Sequence, residues 1–287
     1  MRFTGHARLA GIMGWPVGHS RSPALHNFWL EEQGIDGVYV PLAVRPEALE
    51  TALRGLPALG FRGCNLTIPH KQAALAIVDR VEPTARRIGA INTIIVGEDG
   101  GLEGRNTDVY GFREHLRESA PGWKAEMGAA VVLGAGGAAR AVVAALAGAG
   151  VSEIRLVNRT RGRAEALAGE LQEGSVRISV LDWDSRSRAL RDAGTLVNTT
   201  SLGMDGQPAL DLDLAGLPLT AVVVDIVYVP LETGLLAAAR ARGHTVVDGL
   251  GMLLHQGRPG FEAWFGAPVR VTPALRAAML ATLAPKR

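Results

Sequence analysis

Ala129-Ala130-Val131-Val132-Leu133-Gly134-Ala135-Gly136-Gly137-Ala138-Ala139-Arg140 decides the fold, together with the small apolar run Ala141–Ala149 and the stretch Ile154-Arg155-Leu156-Val157 beyond it. An apolar run of strand length meets a glycine cluster. A helix-favouring stretch follows, Gly148 and Gly150 end it, and a second apolar run begins. Strand, glycine turn, helix and strand in that order make the βαβ unit that binds dinucleotides. Gly134 permits the tight turn, Gly136 lets the backbone approach a pyrophosphate, and Ala139 stands where close helix–strand packing needs a small side chain. The helix entrance at Ala135, Gly137 and Ala138 offers free N–H groups and a positive dipole end to phosphate. A glycine-rich turn also occurs as a plain βα connection; the strand before it and the helix after it favour the nucleotide.

The second strand ends in Asn158-Arg159-Thr160, with Arg163 shortly after. NAD sites usually place Asp or Glu at this point to hold the ribose 2′-hydroxyl, and here no carboxylate is present. The arginine fork matches phosphate geometry, and Arg159 and Arg163 stand at i, i+4, the spacing that faces one point on a helix. The stretch therefore predicts a 2′-phosphate and NADP as the cofactor, with Gly134, Ala135, Gly136, Gly137, Ala138, Asn158, Arg159, Thr160 and Arg163 around it. The competing possibility is that these arginines only solvate a helix start. Cations are mildly unfavourable there, which argues for a nearby anion.

The 287 residues suffice for two domains, and 47% of them are hydrophobic, enough for a substantial core. Net charge is +2, with no basic run interleaved with aromatics, which argues against a nucleic-acid partner. Cys64 is the single cysteine, so no intrachain disulfide can form, as suits a reducing compartment. Met1–Arg8 carries no apolar signal segment, and no run reaches the roughly 18 apolar residues of a membrane span. The expectation is a soluble cytoplasmic protein, monomer or homodimer, acting on a small molecule. No His/Cys/Asp/Glu spacing suggests a metal site. Only three lysines occur, Lys71, Lys124 and Lys286. In so arginine-rich a chain, a retained lysine raises the question of what arginine could not do there.

Ahead of the nucleotide unit, strands and helices alternate. Leu9–Gly14, Val38–Leu42, Phe61–Thr67 and Ile91–Val96 read as strands; Ala24–Gln33, Pro46–Leu56, Lys71–Val78 and Pro83–Ile88 read as helical, with Ser22 as an N-cap before Pro23. This is a second open α/β layer. The fold class is thus two open α/β domains: a first spanning 1–106, completed by 250–287, and a Rossmann-type domain spanning 107–249. Polar residues collect at strand ends in the first half: Ser20 and Ser22, Thr67 and Lys71, Asn92, Asn106 and Asp108. Ligands in open α/β sheets bind beyond the carboxyl ends of strands. Hydroxyls, amides, one ammonium and one carboxylate there suit a small, hydroxylated, anionic substrate. Taken singly, Ser22 reads as an N-cap, Thr67 and Asn92 as turn or strand-end residues, and Asp108 as a helix cap.

Taken together, the chain resembles the shikimate dehydrogenase family. The resemblance is carried by Gly18-His19-Ser20-Arg21-Ser22-Pro23-Ala24-Leu25-His26-Asn27, Asn65-Leu66-Thr67-Ile68-Pro69-His70-Lys71, Gly89-Ala90-Ile91-Asn92-Thr93, Gly104-Arg105-Asn106-Thr107-Asp108, Asn158-Arg159-Thr160, Asn198-Thr199-Thr200-Ser201-Leu202-Gly203-Met204 and Asp248-Gly249-Leu250-Gly251-Met252-Leu253, in order along almost the whole chain. It implies a reversible NADPH-dependent reduction of 3-dehydroshikimate to shikimate, in the chorismate branch that leads to aromatic amino acids. It also implies roles. Ser20 and Ser22 would hold the substrate carboxylate. Thr67, Asn92, Asp108 and Gln256 would hold ring hydroxyls with Tyr228 nearby, Lys71 and Asp108 would be the catalytic pair, and Ile226 and Gly249 would line the nicotinamide end. The sequence departs from the family pattern at Ile226, where methionine is common. A lysine can deliver and recover a proton near neutral pH when burial or neighbours tune it, whereas arginine cannot. Asp108 favours the protonated amine, so its part is to orient Lys71 and grip the reacting hydroxyl.

In the second half, Arg177–Leu181, Leu196–Asn198, Ala221–Asp225 and His244–Val247 read as further strands and Leu231–Arg242 as a helix. The stretch from Gly249 to Phe265 reads as helical with a break or kink at Pro259-Gly260, and Pro273 opens a terminal helix. Two alternatives remain at this point. One is a quinate/shikimate dehydrogenase or a paralogue with another substrate. The other is a non-catalytic NADP-binding regulator, against which the retention of Lys71 with Asp108 counts.

Overall fold

The computed structural model describes residues 3–172, 174 and 176–283; Met1 and Lys286 lie outside them. The chain folds into two compact units, one of residues 1–107 with 256–287 and one of residues 108–255. Against the expected divisions at 106 and 250, the crossings fall after Thr107 and His255.

The first unit contains β1 (Arg8–Gly14), α1 (Ser22–Glu32), β2 (Gly37–Ala43), α2 (Leu49–Gly55), β3 (Phe61–Leu66), α3 (His70–Ala73), β4 (Arg80–Val81), α4 (Pro83–Ile88), β5 (Thr93–Val96) and β6 (Leu102–Arg105). Its sheet runs β2-β1-β3-β5-β6-β4. β1 pairs in parallel with β2 and β3, whereas β5 lies antiparallel to both β3 and β6. The hairpin through Gly100-Gly101 thus makes the sheet mixed. β4 and β6 are strands that the sequence pattern did not announce.

The second unit contains α5 (Asp108–Ser119), β7 (Ala129–Leu133), α6 (Gly137–Gly148), β8 (Glu153–Asn158), α7 (Arg161–Leu171), β9 (Arg177–Asp182), β10 (Ala193–Asn198), β11 (Val222–Asp225), α8 (Gly234–Ala241), β12 (Thr245–Val247) and the start of α9 (Leu250–Phe265). Every strand pair in its sheet is parallel, and the order is β9-β8-β7-β10-β11-β12. Counted within the unit this is 3-2-1-4-5-6, the doubly wound Rossmann order. β7 is buried along its whole length, as a strand covered on both faces must be. Its alternate residues enter opposite cores: Ala130 and Val132 pack with Val142, Leu146 and Leu167, and Val131 and Leu133 pack with Leu196, Leu235 and Leu236.

Two local expectations fail. Ser22 is not the N-cap of α1: Arg21 holds that position without a side-chain cap, and the Ser22 N–H donates to Ser20 Oγ at 3.3 Å. The helix α9 also runs unbroken through Pro259. A proline inside a helix costs about 3 kcal/mol. Phe261, Trp264 and Phe265 beyond it are at most 2% exposed, and each buried aromatic of this kind contributes about 2–3 kcal/mol, so burial outweighs the proline. Trp264 Nε1 also donates to Ile94 O at 2.9 Å. α10 (Pro273–Ala281) follows, capped by the Thr272 hydroxyl.

Candidate active site

In the first unit the polar residues stand on the loops and first helical turns that follow neighbouring parallel strands. Ser20 and Ser22 follow β1; Thr67 and Lys71 follow β3. The Thr67 N–H donates to Met13 O at 3.0 Å, which ties the start of the segment after β3 to β1. Lys71 sits in the short helix α3, partly exposed, and its carbonyl accepts from the Ile91 N–H at 2.7 Å. That bond brings the lysine's backbone to the residue before Asn92.

Asn92 is 2% exposed and fully engaged. Its Oδ1 accepts from the Thr107 N–H at 2.8 Å, and its Nδ2 donates to Thr107 Oγ1 at 3.0 Å and reaches Gln256 Oε1 at 3.5 Å. Asn92 and Gln256, 164 positions apart in the chain, are therefore joined directly. Behind them Asn65 links Tyr39, whose hydroxyl donates to Asn65 Oδ1 at 2.6 Å, to Thr93 Oγ1 and Asn92 O, each 3.1 Å from Asn65 Nδ2. Sequence reasoning gave Asn65, Thr93 and Thr107 no role. A polar residue inside the apolar strand Gly63-Cys64-Asn65-Leu66 was the available signal. Such a network fixes the orientation of the Asn92 and Gln256 amides, because each alternative orientation would leave a buried polar group unpaired.

Asp108, Tyr228 and the predicted cofactor residues belong to the second unit. Asp108 follows Thr107 by one peptide bond, opens α5 and is 9% exposed. Gly134 follows β7 directly, at the switch point between β7 and β10. Its φ is +106°, and a Cβ there would lie 2.6 Å from Thr199 Oγ1. Gly136 is the extended N-cap of α6, and nothing lies within 4 Å of a Cβ built on Gly136 or Gly137. The glycine turn thus leaves an open cradle at a helix N-terminus, which suits a pyrophosphate. Gly134→Ala is expected to cost about 1–3 kcal/mol through strain at positive φ and to lower the thermal midpoint by roughly 2–12 °C, measurable by calorimetry.

Beyond β8 the expected geometry changes in one respect. Thr160 is the N-cap of α7, so Arg159 stands before the helix and Arg163 inside its first turn; the two are not a helical i, i+4 pair. Their partners are more informative. Arg161 pairs with Glu165 at 2.8 Å and Asp182 at 2.7 Å. Among the described residues, Arg159 and Arg163 have no carboxylate partner, and both are exposed. Asn158 Nδ2 donates to Thr160 O at 2.8 Å and shapes the turn between them. Two unneutralised guanidiniums at a helix start fit a ribose 2′-phosphate.

At the other end of the same strand edge, Ile226 and Tyr228 are half-buried and follow β11, and Gly249 is buried after β12. A Cβ at Gly249 would fall 2.2 Å from Ile226 O, so only glycine lets these loops meet. Asp225, which ends β11, is fully buried, and burial pushes its carboxyl up to about 6. Its contribution to stability is therefore fully present below the ordinary carboxylate range and is lost as pH rises through about 6. Among the described residues no group of three or more His, Cys, Asp or Glu could hold a metal, and no helix is long and apolar enough to cross a membrane.

Two family models match the chain. Residues 12–94 match the shikimate dehydrogenase substrate binding domain, and residues 117–202 match shikimate / quinate 5-dehydrogenase. A relative from Rhodospirillum rubrum named shikimate dehydrogenase (NADP(+)) is 64% identical over 96% of this chain and 98% of its own. Among solved structures, the Thermus thermophilus shikimate 5-dehydrogenase in complex with NADP(H) and shikimate is 40% identical, with TM-score 0.83 over 96% of this chain and 99% of that one. The Corynebacterium glutamicum quinate dehydrogenase in complex with NAD is 34% identical, with TM-score 0.89 over the same shares.

Proposed function

The chain belongs to the shikimate dehydrogenase family, and on that premise we propose that Lys71 and Asp108 carry the proton chemistry by which it interconverts 3-dehydroshikimate and shikimate. It is an NADP-dependent alcohol oxidoreductase. The observation that carries the residue-level proposal is that the Lys71 backbone is bonded to Ile91, next to Asn92, and that Asn92 is bonded to Gln256 within the first unit.

When bound, NADP(H) supplies or accepts the hydride. Gly134, Ala135, Gly136, Gly137 and Ala138 hold its pyrophosphate, Asn158, Arg159, Thr160 and Arg163 its 2′-phosphate end, and Ile226 and Gly249 its nicotinamide end. Ser20 and Ser22 bind the substrate carboxylate through their hydroxyls. Thr67, Asn92 and Gln256 hold ring hydroxyls, and Tyr228 is a further substrate-binding residue. Reduction of the ketone adds a proton at oxygen, and Lys71 Nζ donates it; in the reverse direction the same nitrogen takes it back. Asp108 accepts from the ammonium and from the reacting hydroxyl, which orients both. The buried Cys64 suits a reducing compartment, and we place the enzyme in the cytoplasm.

A quinate preference is the competing assignment, and the solved quinate dehydrogenase shares this fold. Quinate adds a hydroxyl at the carbon bearing the carboxylate, where Ser20 and Ser22 act. The test is a paired assay of shikimate and quinate, each with NADP and with NAD. The highest kcat/KM is expected for shikimate with NADP. Preferred turnover of quinate with NAD, or no turnover of any pair, would overturn the proposal.

A further inference from the structure

Asp225 has no part in the chemistry above, yet it is a fully buried carboxylate with no cationic partner among the described residues. Burying an ionisable group costs several kcal/mol unless its lone pairs are satisfied. Here three donors satisfy them. Oδ1 accepts from Asn198 Nδ2 and from the Val227 N–H, both at 3.0 Å, and Oδ2 accepts from Thr233 Oγ1 at 2.7 Å.

The donors come from different places. Val227 is the second residue of the 226–233 segment that leaves β11, and Thr233 is its last. Thr233 Oγ1 also accepts from the Leu236 N–H at 3.3 Å, which makes it the N-cap of α8. One carboxylate therefore grips both ends of the 226–233 loop. Asn198, itself fully buried, extends the grip to the neighbouring loop: its Oδ1 accepts from the Thr200 N–H at 3.0 Å and from Thr200 Oγ1 at 2.7 Å, and its carbonyl accepts from the Ile226 N–H at 3.1 Å. An acceptor-only side chain is what three converging donors require.

We infer that Asp225, acting with Thr233, is a positioning residue that clamps the two ends of the 226–233 loop and so sets where Ile226 and Tyr228 stand. The inference rests on the placement of those two side chains beside nicotinamide and substrate in the proposed function. It concerns geometry and not affinity for the far end of the dinucleotide.

The test compares Thr233→Val, which keeps the shape and removes the hydroxyl, with Thr233→Ser, which keeps the hydroxyl. Three quantities are read: hydrogen exchange of the 226–233 segment in the ligand-free protein, the Kd of adenosine 2′,5′-bisphosphate, and kcat with shikimate and NADP. Adenosine 2′,5′-bisphosphate carries the 2′-phosphate but no nicotinamide. Thr233→Val is expected to speed exchange in 226–233 and to lower kcat by about tenfold to a hundredfold, while the fragment's Kd stays within about twofold. Thr233→Ser is expected to restore both exchange and kcat. Unchanged exchange and kcat in Thr233→Val would overturn the clamp. So would a fragment affinity that falls in step with kcat, since that marks a general loss of the unit's fold, or a Thr233→Ser variant as impaired as Thr233→Val. A parent protein that turned over neither shikimate nor quinate would refute the proposed function instead, and the exchange data would still decide the clamp.

Discussion

Replacing Arg159 and Arg163 together by alanine is expected to lower kcat/KM for NADP by roughly 10²-fold while leaving kcat/KM for NAD within about threefold. The expectation comes from a contrast within one helix start. Arg161 is already neutralised by Glu165 and Asp182, whereas Arg159 and Arg163 on either side of it have no such partner among the described residues. A charge-assisted hydrogen bond to phosphate contributes about 1.5–3 kcal/mol, and solvent exposure places both arginines at the low end of that range. Two such contacts give the stated factor. Arg161→Ala is the control: it removes the same charge from the same turn and is expected to alter the NADP/NAD ratio by no more than about threefold. Steady-state kinetics with both cofactors on the parent and the two variants decides the matter. Equal losses with NADP and NAD would mean that the arginines support the helix and do not read the 2′-phosphate.

The parts of the fold that were legible in the sequence are those whose signal is local. β7, the glycine turn and α6 could be read because an unbroken apolar run, three glycines and a run of small residues leave few alternatives, and the same residues are buried or open as those roles require. β4 and β6 were not legible. They are two and four residues long, and Glu103, Gly104 and Arg105 carry no strand pattern; the pairing of β6 with β5 and of β4 with β6 creates them. The continuity of α9 was also hidden, because what carries the helix past Pro259 is the burial of Phe261, Trp264 and Phe265, which local propensity does not contain.

The candidate site divides in the same way. Ser20, Thr67, Lys71 and Asn92 are conspicuous as polar residues at strand ends. Asn65 and Asp225 are not, because their importance lies in partners distant in sequence: Tyr39 for one, Asn198 and Thr233 for the other. The geometry around Arg159 and Arg163 was misjudged for a related reason. Spacing alone suggested one helical face, but the N-cap at Thr160 separates them.

The second large effect concerns Lys71. If this side chain supplied only a positive charge, arginine could replace it. If it transfers a proton, arginine cannot, because its guanidinium does not give one up in water at any working pH. A positioned acid or base contributes about 10²–10⁴-fold to rate, so Lys71→Ala and Lys71→Arg are both expected to lose that much in kcat. Lys71→Arg separates the two cases because it retains charge, and the backbone bond from Ile91 to the residue-71 carbonyl does not depend on the side chain. The most direct measurement is therefore kcat for shikimate oxidation by Lys71→Arg, with shikimate binding measured separately by calorimetry. A fall of at least about 10²-fold with shikimate still bound is the predicted result; a kcat within about threefold of the parent would contradict the assignment of proton transfer to Lys71.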